Sequence, residues 1–218
     1  MALIIGGFGA NTLFGTDQAD IISGLGGNDK IYAGGGNDVL IGGTGADYLD
    51  GGSGFDTANY MLSTAAVTVS LLTGTGSGGH AQGDCLVSIE GLVGSIFGDR
   101  LTGDNNNNHL FGLSGNDTLD GGGGNDRLDG SLGSDRETGG AGNDTFIFRP
   151  FDGRDRVTDF STAGDRLDLR TYNFAGLADV LSHASQSGAD TLFDFGGGDQ
   201  VTLLGVLKST LDATDFIL

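Results

Sequence analysis

Twelve residues with side-chain oxygens recur at intervals of nine in two parts of the chain. Six blocks of nine follow one another from Gly6, and six more follow from Gly94. The sixth residue of every block is an aspartate or an asparagine. In chain order these residues are Asn11, Asp20, Asp29, Asp38, Asp47, Asp56, Asp99, Asn108, Asp117, Asp126, Asp135 and Asp144. Because carboxylate and carbonyl oxygens are ligands for hard cations, this spacing points to Ca²⁺ before Mg²⁺.

The composition of the chain agrees with short acidic turns. Glycine accounts for 44 of 218 residues, and Glu90 and Glu137 are the only glutamates among 29 acidic residues. The net charge is −19. Such a charge excludes nucleic-acid binding through phosphate contacts, and like-charge repulsion opposes folding unless something neutralises it.

Each block predicts a turn followed by a short strand with one inward-facing apolar residue at its eighth position. One block cannot bury that residue alone, so neighbouring blocks must stack. If a full coil contains two blocks, blocks n and n+2 lie above one another, eighteen residues apart. Their sixth residues are then about 4.8 Å apart, the spacing of neighbouring strands.

Carboxylates this close repel each other unless a cation lies between them. The predicted pairs are Asn11/Asp29, Asp20/Asp38, Asp29/Asp47, Asp38/Asp56, Asp99/Asp117, Asn108/Asp126, Asp117/Asp135 and Asp126/Asp144. The chain therefore predicts about eight Ca²⁺ sites, of which six have two carboxylates and two contain an Asn and are weaker. The alternative is that the aspartates only hydrogen-bond their own turns.

The blocks resemble the repeats-in-toxin (RTX) family, whose nonapeptide G-G-x-G-x-D-x-U-x binds Ca²⁺. Residues 42–50 and 121–129 match this pattern throughout, whereas Gln18, Phe97 and Asn106 replace the fourth glycine and Glu137 replaces the eighth apolar residue. The resemblance extends to the C-terminal β-rolls of serralysin-like proteases and to alginate epimerase repeat modules. It implies an all-β fold, a right-handed parallel β-roll. At Glu137 we expect an irregular coil around residues 130–138, because a buried unpaired acid is costly.

Four segments are expected. Residues 1–59 and 94–147 form the two nonapeptide rolls, and residues 60–93 form inserted strands that bridge them, with a loop from Gly74 to Gly83. Residues 148–218 form a β-rich cap with one short helix near residues 174–184, predicted from apolar residues at helical spacing. Cys85 is expected to be a small buried residue, and a single cysteine excludes an internal disulfide.

The resemblance also implies secretion. The run DFSTAGDRLDL at residues 159–169 and the ending Asp215-Phe-Ile-Leu218 resemble the segment after the roll and the uncleaved type I secretion signal of the family. The N-terminus lacks a Sec-type signal, and no apolar run is long enough for a transmembrane segment. We therefore expect a calcium-binding module that uses the type I secretion machinery, reaches the exterior or surface of a bacterium and folds there on binding Ca²⁺.

No catalytic residues are predicted. Neither a His-Glu-x-x-His zinc motif nor a Gly-x-Ser-x-Gly elbow occurs, and His80, His109 and His183 are scattered. One alternative is an anionic-polysaccharide-binding module. For it, a basic surface would come from Arg127, Arg136, Arg149, Arg154, Arg156, Arg166 and Arg170. Two others are a fragment of a larger RTX enzyme and a self-assembling surface-layer or biofilm component.

Overall fold

A computed structural model describes residues 1–218, which wind into a solenoid of short strands. In chain order the first strands are β1 (Leu3–Ile5), β2 (Thr12–Phe14), β3 (Ile21–Ser23), β4 (Lys30–Tyr32), β5 (Val39–Ile41), β6 (Tyr48–Asp50), β7 (Thr57–Asn59), β8 (Thr68–Ser70), β9 (Thr75–Ser77), β10 (Cys85–Val87) and β11 (Gly91–Val93). The remaining strands are β12 (Arg100–Thr102), β13 (His109–Phe111), β14 (Thr118–Asp120), β15 (Arg127–Asp129), β16 (Arg136–Thr138), β17 (Thr145–Ile147), β18 (Arg154–Val157), β19 (Arg166–Asp168), β20 (Ala184–Ser187), β21 (Asp190–Gly196), β22 (Asp199–Leu203) and β23 (Phe216–Ile217).

Successive strands alternate between two sheets. Sheet 1 has the order β1-β3-β5-β7-β11-β13-β15-β17-β19-β23, and sheet 2 has the order β2-β4-β6-β10-β9-β8-β12-β14-β16-β18-β22-β21-β20. Within the repeats the strands pair in parallel, with Ile22 opposite Leu40 and Leu101 opposite Leu119. The eighteen-residue stacking is therefore confirmed, and the fold is the expected parallel β-roll.

The eighth residues of the blocks form the core between the sheets. Ten of them are fully or almost fully buried: Ile22, Ile31, Leu40, Leu49, Ala58, Leu101, Leu110, Leu119, Leu128 and Phe146. Burying each leucine or isoleucine contributes about 1.5–3 kcal/mol. Glu137 occupies the same inward position without disturbing the register, opposite Leu119 and Val157. The expected irregularity of the coil around residues 130–138 was therefore wrong.

The segment between the arrays adds strands to both sheets. In sheet 2, β8 and β9 form an antiparallel hairpin, and β9 also pairs antiparallel with β10. The region from Gly74 to Gly83, expected to be a loop, contains β9 and a 3₁₀ helix at Gly79–Ala81. Cys85 is exposed, not buried as expected, because strand alternation turns its neighbour Leu86 inward instead.

The C-terminal region covers the end of the stack. Strands β18 and β19 continue the two sheets, and β20, β21 and β22 form an antiparallel extension of sheet 2. The single α-helix, α1 (Leu177–Ser182), buries Val180. Further 3₁₀ helices lie at Arg170–Tyr172, Lys208–Thr210 and Ala213–Asp215. No helix has the length and apolar character needed to cross a membrane.

Candidate metal centre

The sixth residue of each block lies in a turn directly before a strand. Asp29 precedes β4 in sheet 2 and Asp38 precedes β5 in sheet 1, so consecutive blocks place their acids alternately at the two sheets. Eleven of the twelve sixth residues are buried, and Asn11 is partly buried. Two rows of oxygen-bearing side chains therefore follow the stack, one along each sheet.

One carboxylate oxygen in every predicted pair holds the neighbouring turn. The backbone N–H of residue n donates to Oδ1 of residue n+18, with N···O distances of 2.7–2.9 Å in all eight pairs. Asp20 donates in this way to Asp38, and Asp117 to Asp135, both at 2.7 Å. Oδ1 is thus engaged in the bond between the turns, and Oδ2 is the carboxylate oxygen that takes no part in it.

Eight of the sixth residues have an Oδ2 atom that is buried and has no hydrogen-bond partner. They are Asp29, Asp38, Asp47, Asp56, Asp117, Asp126, Asp135 and Asp144. A buried carboxylate oxygen without a donor is costly unless a cation compensates it. These eight atoms are therefore the strongest indication of where the chain would bind a cation.

The other four sixth residues are satisfied by their own turns. The Thr16 N–H and hydroxyl donate to Asp20 Oδ2 at 2.8 and 2.7 Å, and the Ser95 N–H donates to Asp99 Oδ2. The amide oxygens of Asn11 and Asn108 accept backbone N–H groups in the same way. These four blocks open the two arrays, and there the turn itself supplies the donor.

The first glycine of a block leaves room beside the free oxygen. A Cβ on Gly24 would overlap both Oδ2 of Asp29 and the carbonyl oxygen of Gly42, which belongs to the next turn of the stack. A Cβ on Gly121 would likewise overlap Oδ2 of Asp126 and the carbonyl oxygen of Gly139. In both places, a carboxylate oxygen of one block and a carbonyl oxygen of the block two positions further along the array thus converge on one small space.

The electrostatics of the free and satisfied carboxylates differ. Burial, with smaller contributions from neighbouring carboxylates, raises the pKa of Asp117 and Asp126 to about 7 and that of Asp56 to about 6. For Asp20, hydrogen bonds from the Ala2 N–H and from Thr16 lower the pKa instead. The free carboxylates therefore bury negative charge for which no neighbouring group compensates.

This donor set fits calcium. No three His, Cys, Asp or Glu side chains converge on one point, so a bound cation would combine carboxylate oxygens with backbone carbonyls. Ca²⁺ accepts such mixed, irregular oxygen ligands, whereas Mg²⁺ demands near-octahedral geometry. The residues that would hold it are the eight aspartates with free Oδ2 atoms and the carbonyl groups of the facing turns.

Four acids outside the nonapeptides continue the two rows. Each accepts the N–H of the preceding acid in its row at 2.8–3.0 Å, over separations of 37, 34, 20 and 21 residues: Asp84 from Asp47, Glu90 from Asp56, Asp155 from Asp135, and Asp165 from Asp144. The repeat of nine residues does not predict them, because their separations from the preceding acids are not eighteen. The sequence signal that could have found them is an inward-facing apolar residue two positions after each acid. These apolar residues are Leu86, Leu92, Val157 and Leu167.

The arginines are divided between the two sheets. Arg136, Arg154 and Arg156 lie on strands of sheet 2, whereas Arg127 and Arg166 lie on strands of sheet 1. The clustering in sequence therefore does not produce one face. Next to sheet 1, however, Arg127, Arg149 and Arg170 line a common groove of about 280 Å³. Two of these three arginines form ion pairs of 2.6 Å, Arg149 with Asp129 and Arg170 with Asp168.

The fold and the rows of acids define a class, the β-roll built from calcium-binding repeats. Residues 5–40, 24–58 and 102–137 match the model of the RTX calcium-binding nonapeptide repeat. Through these two arrays the chain belongs to the RTX calcium-binding repeat family. No curated protein matches the chain in sequence.

Several solved structures are similar to the chain. The AlgE6R3 subunit of the Azotobacter vinelandii mannuronan C5-epimerase is 32% identical, with 57% of this chain and 80% of that one covered and a TM-score of 0.48. The AlgE6R2 subunit is 30% identical over 57% of this chain and 90% of that one, with a TM-score of 0.43. The extracellular lipase LipA from Serratia marcescens is 21% identical, with a TM-score of 0.43. The match covers 95% of this chain but only 40% of the lipase.

Proposed function

We propose that this chain is a secreted calcium-binding module that folds on binding Ca²⁺ outside the cell and has no catalytic role of its own. In this proposal residues 60–93 bridge two rolls, and residues 148–218 cap the second roll and carry the type I secretion signal. The observation that carries it is the set of eight buried aspartate oxygens without hydrogen-bond partners.

The overall charge supports linkage between folding and metal binding. Eight divalent ions carry +16, which would leave −3 of the net charge of −19. Without ions, burial of the free carboxylates and mutual repulsion both oppose the folded state. Binding to the folded state alone stabilises it. Extracellular calcium modules typically have Kd values of about 10⁻⁴–10⁻³ M, so the module would be empty in the cytosol and filled outside.

The geometry changes which pairs we expect to bind. In block n, Oδ2 of the sixth residue faces the turn of block n+2. In the blocks of Asn11, Asp20, Asp99 and Asn108, the corresponding side-chain oxygen already accepts a hydrogen bond from its own turn. The eight sites would therefore begin at Asp29, Asp38, Asp47, Asp56, Asp117, Asp126, Asp135 and Asp144. Under this assignment the number stays at eight, and the predicted set moves two blocks along each array.

Far-UV circular dichroism with and without Ca²⁺ tests the function. In excess chelator the spectrum should show a largely unfolded chain, and in 10 mM Ca²⁺ it should show strands. The same concentration of Mg²⁺ is the matched control and should have little effect. Equal strand content in chelator and in Ca²⁺ would contradict the proposal.

A second candidate function is binding of an anionic polysaccharide in the groove beside sheet 1. Its support is the placement of Arg127, Arg149 and Arg170 along one open surface. Isothermal titration with alginate oligomers in 5 mM Ca²⁺ tests it, with Arg127→Ala as the variant. Arg100→Ala, at an exposed strand position on sheet 2, is the control. Heats that are the same for both variants and the unmodified chain would eliminate this candidate.

A further inference from the structure

Exposed apolar side chains lie along one edge of the roll. Eight turns connect a strand of sheet 1 to the following strand of sheet 2, and all eight lie at the same edge because the strands of sheet 1 are parallel. The first two and the last two of these turns carry Phe8, Leu25, Leu132 and Phe151. Their exposed fractions lie between 39% and 91%.

The middle of this edge carries the densest group of such residues. The fourth turn contains Met61 and Leu62, and the fifth contains Ile96 and Phe97, with exposed fractions between 39% and 66%. We call these four residues and the four on the outer turns the apolar stripe. At about 4.8 Å per layer, the stripe is about 34 Å long. A contiguous exposed patch of this kind marks an interaction surface, whereas single exposed apolar residues do not.

The other edge of the two arrays has no such stripe. Six turns of the arrays lead from sheet 2 to sheet 1, and the first four residues of each are Gly, Ala, Ser, Thr, Asp, Asn or Gln. Consecutive blocks alternate between the edges, so the stripe has a period of eighteen residues rather than nine. The turn itself therefore does not require the apolar residues.

Backbone conformation sets three residues of the apolar edge apart. Leu25, Leu113 and Phe151 have φ values of 73°, 79° and 78°, in the left-handed region that favours glycine. The second residues of other blocks with this conformation are glycines, such as Gly43 and Gly122. A left-handed conformation is costly for a residue with a Cβ, and strained residues are concentrated at functional positions. The chain thus keeps apolar side chains on this edge at a cost to its own stability.

Exposed cations border the stripe on the side of sheet 2. Lys30, Arg100, Arg136 and Arg156 are exposed near the beginning of their strands, directly after the turns of this edge. None of the four forms an ion pair. Every aspartate in the eight turns is buried. In a chain with a net charge of −19, this edge therefore presents apolar side chains and positive charge without an exposed carboxylate.

We propose that this edge binds an anionic lipid surface, with the apolar stripe at the level of the headgroups and the bordering cations on the lipid phosphates. Apolar area together with attraction of Lys and Arg to anionic lipids is what holds a protein in a membrane interface. A second copy of this chain, docked through the same edge, would offer no exposed carboxylate to these cations. The inference goes beyond calcium binding and requires only the folded roll.

Flotation with lipid vesicles tests the apolar stripe. The unmodified chain in millimolar Ca²⁺ should bind vesicles of phosphatidylcholine and phosphatidylserine more tightly than vesicles of phosphatidylcholine alone. The double variant Leu62→Ser with Ile96→Ser should lower the partition coefficient at least about tenfold. The matched control is Leu72→Ser, because Leu72 is 61% exposed but follows β8 at the other edge. It should bind like the unmodified chain.

Arg136→Gln tests the cations independently of the stripe. It should weaken binding to the anionic vesicles about fivefold and leave binding to the neutral vesicles unchanged. Arg166→Gln is the control, because it removes the same charge from an exposed position on sheet 1. Circular dichroism in the same solutions shows that each variant is folded.

Two results would overturn the proposal. One is a folded, unmodified chain that does not bind the anionic vesicles, and the other is binding by both stripe and cation variants that equals binding by their controls. Sedimentation equilibrium identifies the competing occupant. A dimer that Leu62→Ser with Ile96→Ser dissociates, in a chain that binds no vesicles, would make the stripe a contact between copies instead.

Discussion

Replacing Asp126 by Asn is expected to remove one calcium-dependent increment of stability. Oδ2 of Asp126 is buried without a partner beside the carbonyl group of Gly139, while Oδ1 accepts the Asn108 N–H at 2.7 Å. The amide oxygen of an asparagine can keep the bond from Asn108. The substitution therefore removes the anionic oxygen and leaves the hydrogen bond between the turns in place.

The size of the effect follows from linkage. For a site with a Kd of about 10⁻⁴–10⁻³ M, raising free Ca²⁺ from 1 to 10 mM adds about 1.0–1.3 kcal/mol to the free energy of unfolding. Urea unfolding followed by circular dichroism at the two concentrations measures this gain. Asp126→Asn should gain about 1.0–1.3 kcal/mol less than the unmodified chain between the same two concentrations.

Asp20→Asn is the matched control, because Asp20 is also a buried sixth residue but its Oδ2 is satisfied by Thr16. It should lose about 1–3 kcal/mol equally at both calcium concentrations, through the weakened turn. The pairing predicted from sequence alone would have both variants lose calcium dependence. If Asp126→Asn keeps the full calcium-dependent gain, or if Asp20→Asn loses it, the assignment of free oxygens is refuted.

Three further outcomes are expected. In chelator, acidification from pH 8 to about 5 should increase strand content. Burial raises the pKa of Asp117 and Asp126 to about 7, so the stability that their protonation contributes to the folded state is lost as the pH rises through that value. A circular dichroism titration with no change would contradict this. Leu128→Ala in the fully buried core should cost about 2–5 kcal/mol in saturating Ca²⁺, measured by urea unfolding, and a cost below 1 kcal/mol would argue against the packed core. Tyr60→Phe leaves Oδ2 of Asp84 without its hydrogen-bond donor, so the free energy of unfolding at low Ca²⁺ should fall by about 1–3 kcal/mol. Part of that loss should be recovered at 10 mM Ca²⁺. A loss that Ca²⁺ does not reduce would show that Asp84 cannot accept an ion.

The sequence was sufficient for the roll and its register, because both depend on a period. Once a coil contains two blocks, Ile22 must stack on Leu40, and strand spacing brings Asp20 beside Asp38. The same reasoning failed at Cys85. This residue lies outside the repeats, and its side chain is on the outer face of β10. Local period, where it exists, therefore predicts both packing and the neighbours of each acid.

The continuation of the rows at Asp84 and Asp155 could not be predicted from the period. The chain returns to the stack after insertions, so the separations become 37 and 20 residues. Only the three-dimensional course of residues 60–93 and 148–155 brings these acids into line. What persists is the local pattern of an acid, one residue, and an inward-facing residue, which is apolar in every layer except that of Glu137.

The distinction between free and satisfied carboxylates depends on turn conformation. The fourth residue has a positive φ in the blocks whose aspartate is free, and in those blocks only: Gly27, Gly36, Gly45, Gly54, Gly115, Gly124, Gly133 and Gly142. In the four remaining blocks the turn adopts another conformation, in which the N–H of the second residue reaches the side-chain oxygen of the sixth. Three of these blocks have Gln18, Phe97 or Asn106 at the fourth position.

Glycine at the fourth position thus has a chemical consequence beyond flexibility. It permits a turn in which its own N–H bonds to the neighbouring turn, as Gly27 does to the Thr44 carbonyl group at 2.8 Å, and the aspartate receives no donor from the second residue. The aspartate is then left for a cation. Gly9 shows that glycine permits this turn without enforcing it, because its block keeps the other conformation and its Asn11 is satisfied. The glycine-rich composition and the acidic charge are therefore two parts of one arrangement, in which the backbone withholds donors and the carboxylates depend on metal.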